Sequence, residues 1–150
     1  RDWHDDLTLF AHDVTISDRS ARCHVMYAKL LVEAAGKTRD QAKKNQQLSD
    51  ARKHLERGLA IYPDYALAQG LLGKLAMDRT DYHAATDHFI ACLEQDSTEE
   101  VALKNLAFIG RRMGEEKDLS GAERAFRAAI RFSGRRGGIE EPGFHRPENG

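Results

Sequence analysis

The stretch that decides the fold is Tyr82-His-Ala-Ala-Thr-Asp-His-Phe-Ile-Ala-Cys-Leu93. Within it, Ala85, Phe89 and Cys92 supply a small, a bulky and a second small position at helical spacing. The same pattern occurs 34 residues earlier and 37 residues later, at Ala51, Leu55 and Gly58 and at Ala122, Phe126 and Ala129. A recurrence near 34 residues is typical of helix-turn-helix units that bury their apolar faces by stacking. The sequence therefore predicts an all-α repeat array whose function lies on a surface.

Two further segments precede the repeated pattern. The first carries apolar residues at spacings i, i+3, i+4 and i+7, namely Leu7, Phe10, Ala11 and Val14. This spacing predicts a helix that packs on the array as an N-terminal cap. The second predicted helix, 20–35, is expected to end at Gly36 and to bury His24 at an aromatic position of the first repeat. The polar segment 37–47 indicates either a long loop or a solvated extension of the next helix.

The connections between the later helices also have sequence signals. Asp81 is a predicted N-cap, and residues 97–100 (Ser-Thr-Glu-Glu) have the form of a capping box. We attribute the longer spacing of 37 residues to a turn at 114–118 that has three additional residues. The predicted organisation is an entry segment with its packing helix at 1–19, a repeat array at 20–132 and a disordered tail at 133–150, where glycine and proline are frequent.

Composition and charge exclude several function classes. The chain is 41% hydrophobic and 31% charged, and it has no apolar run long enough to cross a bilayer. Net charge alternates along the chain, at −4 over 1–18, +6 over 19–63, −5 over 64–99 and +2 over 100–133. This alternation opposes a continuous basic track for nucleic acid. We expect no nucleic-acid partner and no membrane contact by this region itself.

Candidate chemical groups are isolated from one another in the sequence. His83 and His88 are five residues apart and fall on different faces of a helix, and no His-x3-His or Cys-x2-Cys pair occurs. Cys92 occupies the small position of the repeat, where a buried thiol serves packing. The sequence therefore predicts no catalytic residue, no metal and no cofactor, and it indicates that this region is not an enzyme.

One repeat resembles the tetratricopeptide repeat (TPR) family. Its pattern is Gln69-x2-Leu72-Gly73-x2-Ala76 followed by Ala85-x3-Phe89. It departs from the family at the aromatic positions and at Ser97, where the family has proline. The resemblance implies a right-handed α-solenoid of about three helix-turn-helix pairs. It also implies a concave groove lined by the first helix of each pair.

The N-terminal segment resembles a second group of proteins. The residues Trp3-His-Asp-Asp-Leu-Thr-Leu-Phe10, then Asp13 and Ser20-Ala-Arg-Cys-His24, are similar to the segment that joins the last membrane helix to the TPR array in membrane-bound O-mannosyltransferase-like glycosyltransferases. This resemblance implies the soluble C-terminal region of a membrane enzyme, placed on the exocytoplasmic side, in the periplasm or a lumen. Without it, a cytoplasmic location is expected.

The predicted groove combines basic and apolar side chains. Its residues are Arg22, Val25, Lys29, Val32, Leu67, Lys74, Met77, Val101, Lys104, Phe108, Arg111 and Arg112. This combination favours an interaction or scaffold module that binds a peptide or protein of acidic character. The alternatives are a groove that only solvates its charges or holds the chain's own tail, a structural self-association element, and a substrate-binding part of an enzyme.

The far end of the array has no predicted cap. Solenoids require a polar outer face at each end, and no amphipathic segment follows Phe132. We therefore expect the surface around Ile109, Phe126 and Ile130 to be partly exposed, covered by the tail, or paired with another copy. Weak self-association through this end is a further expectation.

Overall fold

The computed structural model describes residues 3–16 and 20–134, and within these residues the chain forms seven α-helices and no strand. The helices are α1 (Trp3–Ile16), α2 (Ala21–Lys37), α3 (Gln41–Ile61), α4 (Ala66–Asp78), α5 (Tyr82–Gln95), α6 (Glu100–Glu115) and α7 (Leu119–Ser133). The all-α prediction is confirmed. The expected disordered tail began at residue 133, but Ser133 is the last residue of α7. The tail from 135 to 150 lies outside the described residues, as do the side chains of Phe10 and Val14.

The helices pack in sequence order. The closest neighbours are α2 with α3, α4 with α5, and α6 with α7, while α3 meets α4 and α5 meets α6. Helix α1 packs on α2, and Leu7 contacts the core formed by α2, α3 and α4, so the predicted N-terminal packing helix is present. A second core joins α4 to α7. This arrangement is compatible with a helical repeat, whose number of units and superhelical hand stay predictions.

A glycine-to-phenylalanine contact repeats in the last two helix pairs. A Cβ atom on Gly73 of α4 would lie 2.8 Å from Cε1 of Phe89 on α5. A Cβ atom on Gly110 of α6 would lie 2.8 Å from Cε1 of Phe126 on α7. Because each ring occupies the space of the missing side chain, the two helices of a pair approach closely. The bulky position of the sequence repeat therefore supplies the contact between paired helices.

The turns inside these two pairs have the same geometry. Thr80 and Lys117 adopt the left-handed conformation, with φ of 58° and 65°. The next residue in each turn, Asp81 or Asp118, then caps the second helix of its pair. The expectation of three additional residues in the turn at 114–118 is wrong. The additional residues belong to α6, which has 16 residues against 13 in α4 and is extended before Gly110, so the turn geometry is unaffected.

Other boundaries follow from capping hydrogen bonds. Asp40 accepts hydrogen bonds from the amides of Ala42 and Lys43. Helix α3 therefore begins at Gln41, and the extension alternative for 37–47 is confirmed for most of that segment. Helix α6 is capped by Glu99, whose side chain accepts from the amide of Val101. The expected capping box at 97–100 is wrong, because Asp96 instead holds Thr98 in a turn before the helix.

Candidate functional site

A cleft of about 180 Å³ opens between α4 and α6, with α5 as its floor. Its apolar lining comes from all three helices and includes Ala66, Leu67, Leu71, Phe89, Cys92, Val101 and Ala102. Its polar lining consists of Lys74, Glu99 and Asn105. A Cβ atom on Gly70 would lie 3.4 Å from Sγ of Cys92, so the backbone of α4 lies close to the floor. Small residues at Gly70 and Ala102 leave room for a side chain from outside.

Exposed apolar residues extend the cleft along α6. Val101, Asn105, Phe108 and Arg112 lie at i, i+4, i+7 and i+11, which places them on one face of the helix. Val101 and Phe108 are both exposed. Two of the predicted apolar groove residues are therefore exposed on one face of α6. On α4 the matching exposed residue is Leu67, which lies across the cleft from Val101.

The predicted basic residues differ in their positions. Lys74 is exposed and lines the cleft. Lys104 and Arg111 are exposed and seven residues apart, so they form a neighbouring ridge of α6. Arg112 forms an ion pair with Glu115, with Nη1 and Oε2 3.1 Å apart. A hydrogen bond with Tyr82 is the main cause that raises the pKa of Arg112, so this guanidinium is already engaged at the edge of α5.

The structure corrects two predicted groove residues. Val25 is 0% exposed, because it falls on the apolar stripe of α2 and packs against Gly58 of α3. A Cβ atom on Gly58 would lie 2.7 Å from Cγ2 of Val25. Met77 is partly buried and packs on the core between α4 and α7. The sequence prediction required both side chains to be exposed in the groove, and neither lines the cleft.

The predicted residues on α2 lie apart from this cleft. Arg22 is exposed and Lys29 is half-buried, and neither lines the space between α4 and α6. Val32 does not line this space either, and it packs against the core of α2, α3 and α4. The structure thus brings together only part of the predicted groove, namely Leu67, Lys74 and Val101, with Phe108 farther along α6.

Cys92 supports the floor of the cleft and is buried. Burial raises the pKa of its thiol to about 11, and the neighbouring carboxylates of Glu99 and Asp96 contribute to the rise. The thiol is therefore protonated at neutral pH, and a protonated thiol is a poor nucleophile. The interpretation of Cys92 as a packing residue is confirmed.

Sequence reasoning missed a second, more polar cleft. It has a volume of about 410 Å³ and lies between the N-terminal half of α3 and the C-terminal end of α4. Its lining residues are Gln41, Lys44, Asn45, Leu48, Ser49, Arg52, Leu75, Asp78 and Arg79. Helix α3 has 21 residues against 13 in α4, and the cleft lies beside the N-terminal half of α3. The polar segment 37–47 was the available signal for it.

Histidines serve contacts between helices. His24 is buried, and its Nδ1 lies 3.0 Å from Nδ1 of His54 on α3, so one ring donates and the other accepts. This confirms the packing role expected for His24. Nε2 of His83 lies 2.7 Å from Oδ2 of Asp118 and joins α5 to the cap of α7. Among the described residues, no group of three or more His, Cys, Asp or Glu side chains is placed to hold a metal ion.

Two findings bear on the wider identity of the chain. In the part of the chain that the structure describes, no helix has the length and apolar character needed to cross a membrane. The chain matches no protein-family model, and no curated protein matches it.

Proposed function

We propose that this chain is a protein-interaction module of the TPR type, a right-handed solenoid of about three helix pairs that binds a peptide with acidic and apolar residues. The cleft between α4 and α6 supports this proposal most directly. It presents an apolar floor at Phe89 and Cys92, exposed apolar walls, and Lys74 at its edge. An apolar recess beside cations suits a peptide that inserts one bulky side chain and places carboxylates around it.

The two kinds of contact have different roles. Burial of one leucine- or phenylalanine-sized side chain in the recess contributes about 1.5–3 kcal/mol. Carboxylates near Lys74, Lys104 and Arg111 accelerate association and select acidic partners, while each exposed ion pair contributes little affinity. The proposed ligand is therefore a segment with one bulky apolar residue flanked by aspartate or glutamate.

Synthetic peptides test this function directly. The probes are a fluorescent peptide with a central leucine flanked by glutamates, the same peptide with lysine flanks, and the acidic peptide with alanine at its centre. Fluorescence anisotropy should show the tightest binding for the first. The Lys74→Glu/Lys104→Glu/Arg111→Glu variant should lose this binding. A charge-matched control, Arg39→Glu/Lys43→Glu/Lys53→Glu, changes exposed residues that do not line the cleft and should retain it.

A further variant separates apolar recognition from charge. Val101→Asp places a carboxylate on the apolar wall while the cations are unchanged, and it should also abolish binding of the leucine peptide. The proposed function fails if no acidic peptide binds. It also fails if both triple variants weaken binding equally, because the cleft would then have no special role.

We also propose that the array is attached to a membrane-embedded glycosyltransferase and lies outside the cytoplasm. The support is the resemblance of the segment from Trp3 to His24, together with the packing of α1 directly on α2. The test is the coding sequence upstream of Arg1. Several apolar segments of membrane-spanning length there would support this parent enzyme, and a start codon a few residues upstream would contradict it.

A further inference from the structure

Helix α7 exposes a face that the matching helix α5 buries. The residues of α5 at the bulky positions, Phe89 and Leu93, are each 1% exposed, because α6 packs on them. Their counterparts on α7, Phe126 and Ile130, are 38% and 61% exposed. Leu119, two turns before Phe126 on the same face, is 72% exposed. We name the α7 stripe the exposed residues Leu119, Phe126 and Ile130 together with Ala122 and Ala129, two small residues that border the core. Among the described residues, no element covers its three large side chains.

The α7 stripe continues an established interface. Ala122 belongs to the core that joins α4 to α7, and Ala129 packs against that core. The equivalent face of α5 is covered by a helix, α6. The partner surface is therefore a helix with its own stripe of alternating small and large residues.

Charged residues beside the stripe exclude coverage by a full additional repeat. On α5, Thr86 is buried and Ile90 is partly buried against the second core. The matching residues of α7 are Glu123 and Arg127, which form an ion pair with Oε1 and Nη2 2.6 Å apart and are both largely exposed. Burial of this pair under another repeat would remove two charges from water at considerable cost. The partner must leave these groups at the edge of the interface.

We propose that the α7 stripe binds the α7 stripe of a second copy, in an antiparallel pairing about a two-fold axis at the level of Ala125, whose own side chain is buried on the core side of the helix. Such an axis places Phe126 of each copy over the small residue Ala122 of the other. It also sets Leu119 beside Ala129 and Ile130 of the other copy, so each large residue contacts at least one residue of the partner stripe and Phe126 and Leu119 each meet an alanine.

The charges agree with the same axis. Glu123 and Arg127 lie on one edge of the stripe, on either side of Ala125. In an antiparallel pair about a two-fold axis, equal edges meet, so Glu123 of each copy lies next to Arg127 of the other. The pairing thus leaves both charges at a solvated rim with opposite partners. One helix per copy forms a small interface, and a weak, reversible dimer is the expected result.

Sedimentation velocity of the full chain over a range from micromolar to millimolar concentration tests the pairing. The expected result is a monomer–dimer equilibrium. Ile130→Glu should weaken dimerisation at least about tenfold, because it places a carboxylate in the interface. Ile61→Glu is the matched control, since it is the same substitution at a residue that is 45% exposed on α3, outside the α7 stripe and the cleft. It should leave dimerisation unchanged, and circular dichroism should show native helicity for both variants.

Mixed charge variants test the axis itself. The Glu123→Arg variant has two positive charges on the edge, and the Arg127→Glu variant has two negative charges. Each should dimerise less than the wild type, while an equimolar mixture should form the heterodimer in preference to either homodimer. A strict monomer at all concentrations overturns the proposal. A dimer that Ile130→Glu does not weaken, or a mixture without heterodimer preference, overturns it as well. The peptide-binding result is independent, because Ile61, Glu123, Arg127 and Ile130 do not line the cleft.

Discussion

The pairs α4/α5 and α6/α7 share a sequence pattern but differ in what covers them. Inside each pair a phenylalanine ring fills the space beside a glycine, and the turn between helices has the same left-handed residue and the same aspartate cap. Outside the pair, α5 is covered by α6 while the matching face of α7 is exposed. The comparison shows that the repeat encodes the contact within a pair. Burial of the outer face is decided by the next element along the chain.

The largest difference is expected from truncating the two phenylalanines. Phe89→Ala should reduce the free energy of unfolding by about 3–5 kcal/mol, because it leaves a cavity in a closed core. Phe126→Ala should cost about 1–2 kcal/mol, since part of its ring already contacts solvent. Urea unfolding monitored by circular dichroism measures both. Equal losses would show that the outer face of α7 is as well covered as that of α5.

The next largest difference between the two pairs is expected from alanine substitution of the contact glycines, Gly73 and Gly110. Gly73→Ala should destabilise by about 1–3 kcal/mol, because Phe89 is enclosed and cannot yield to the new Cβ atom. Gly110→Ala should stay within about 1 kcal/mol of the wild type, since Phe126 can rotate toward solvent and alanine favours the helix by about that amount.

Gly36→Ala serves as the control for these glycine variants. A Cβ atom there meets nothing within 4 Å, so the change reports helix propensity alone. The free energy of unfolding should rise by up to about 1 kcal/mol. A destabilised Gly36→Ala variant would mean that the glycine comparison does not report close packing. Destabilisation of Gly110→Ala equal to that of Gly73→Ala would contradict the asymmetry between the pairs.

The left-handed turn residues should behave alike in both pairs. Thr80→Gly and Lys117→Gly each remove a side chain from a conformation that disfavours it, and each should stabilise by about 1 kcal/mol. The gain at Thr80 should be the larger, because a β-branched residue is more strained at positive φ. Thermal and urea unfolding provide the measurement. Opposite signs at the two positions would show that the turns are not equivalent.

The smallest expected effect is a difference in the labelling rates of thiols at matching positions of α5 and α7. Cys92 should react slowly with iodoacetamide at neutral pH, and its rate should rise toward pH 11, because burial holds the pKa of the thiol at about 11. In a Cys92→Ala background, Ala129→Cys places a thiol at the matching position of α7, where exposure is greater. Mass spectrometry should show much faster labelling there. Equal labelling rates would contradict the difference in coverage.

Local features of the fold could be predicted from periodicity and composition. The spacing of Ala85, Phe89 and Cys92 predicted the helices and their buried faces, and Asp81 predicted the start of α5. The error over the turn at 114–118 arose because repeat spacing reports total length. It does not report whether an insertion lengthens a loop or extends a helix.

The candidate site was less predictable for a geometric reason. Helical spacing groups residues on a face, but a face may point toward a neighbouring helix or toward solvent. Val25 fell on the side of α2 that meets Gly58, so it joined the core. Ile109 was expected to be partly exposed, yet it is buried, because its side of α6 forms part of the core shared with α7. The polar cleft beside α3 depended on which residues of α3 and α4 come together.

The sequence by itself determined the helices, the small and bulky positions of each repeat, and the packing role of Cys92. These depend on residue spacing and side-chain size, which are local properties. Only the tertiary structure decided that Lys74 lines an apolar cleft, that Val25 belongs to the core, and that Phe126 and Ile130 are exposed where Phe89 and Leu93 are buried. Those outcomes depend on which helix lies beside each face, and that neighbour is set by the packing of the whole array.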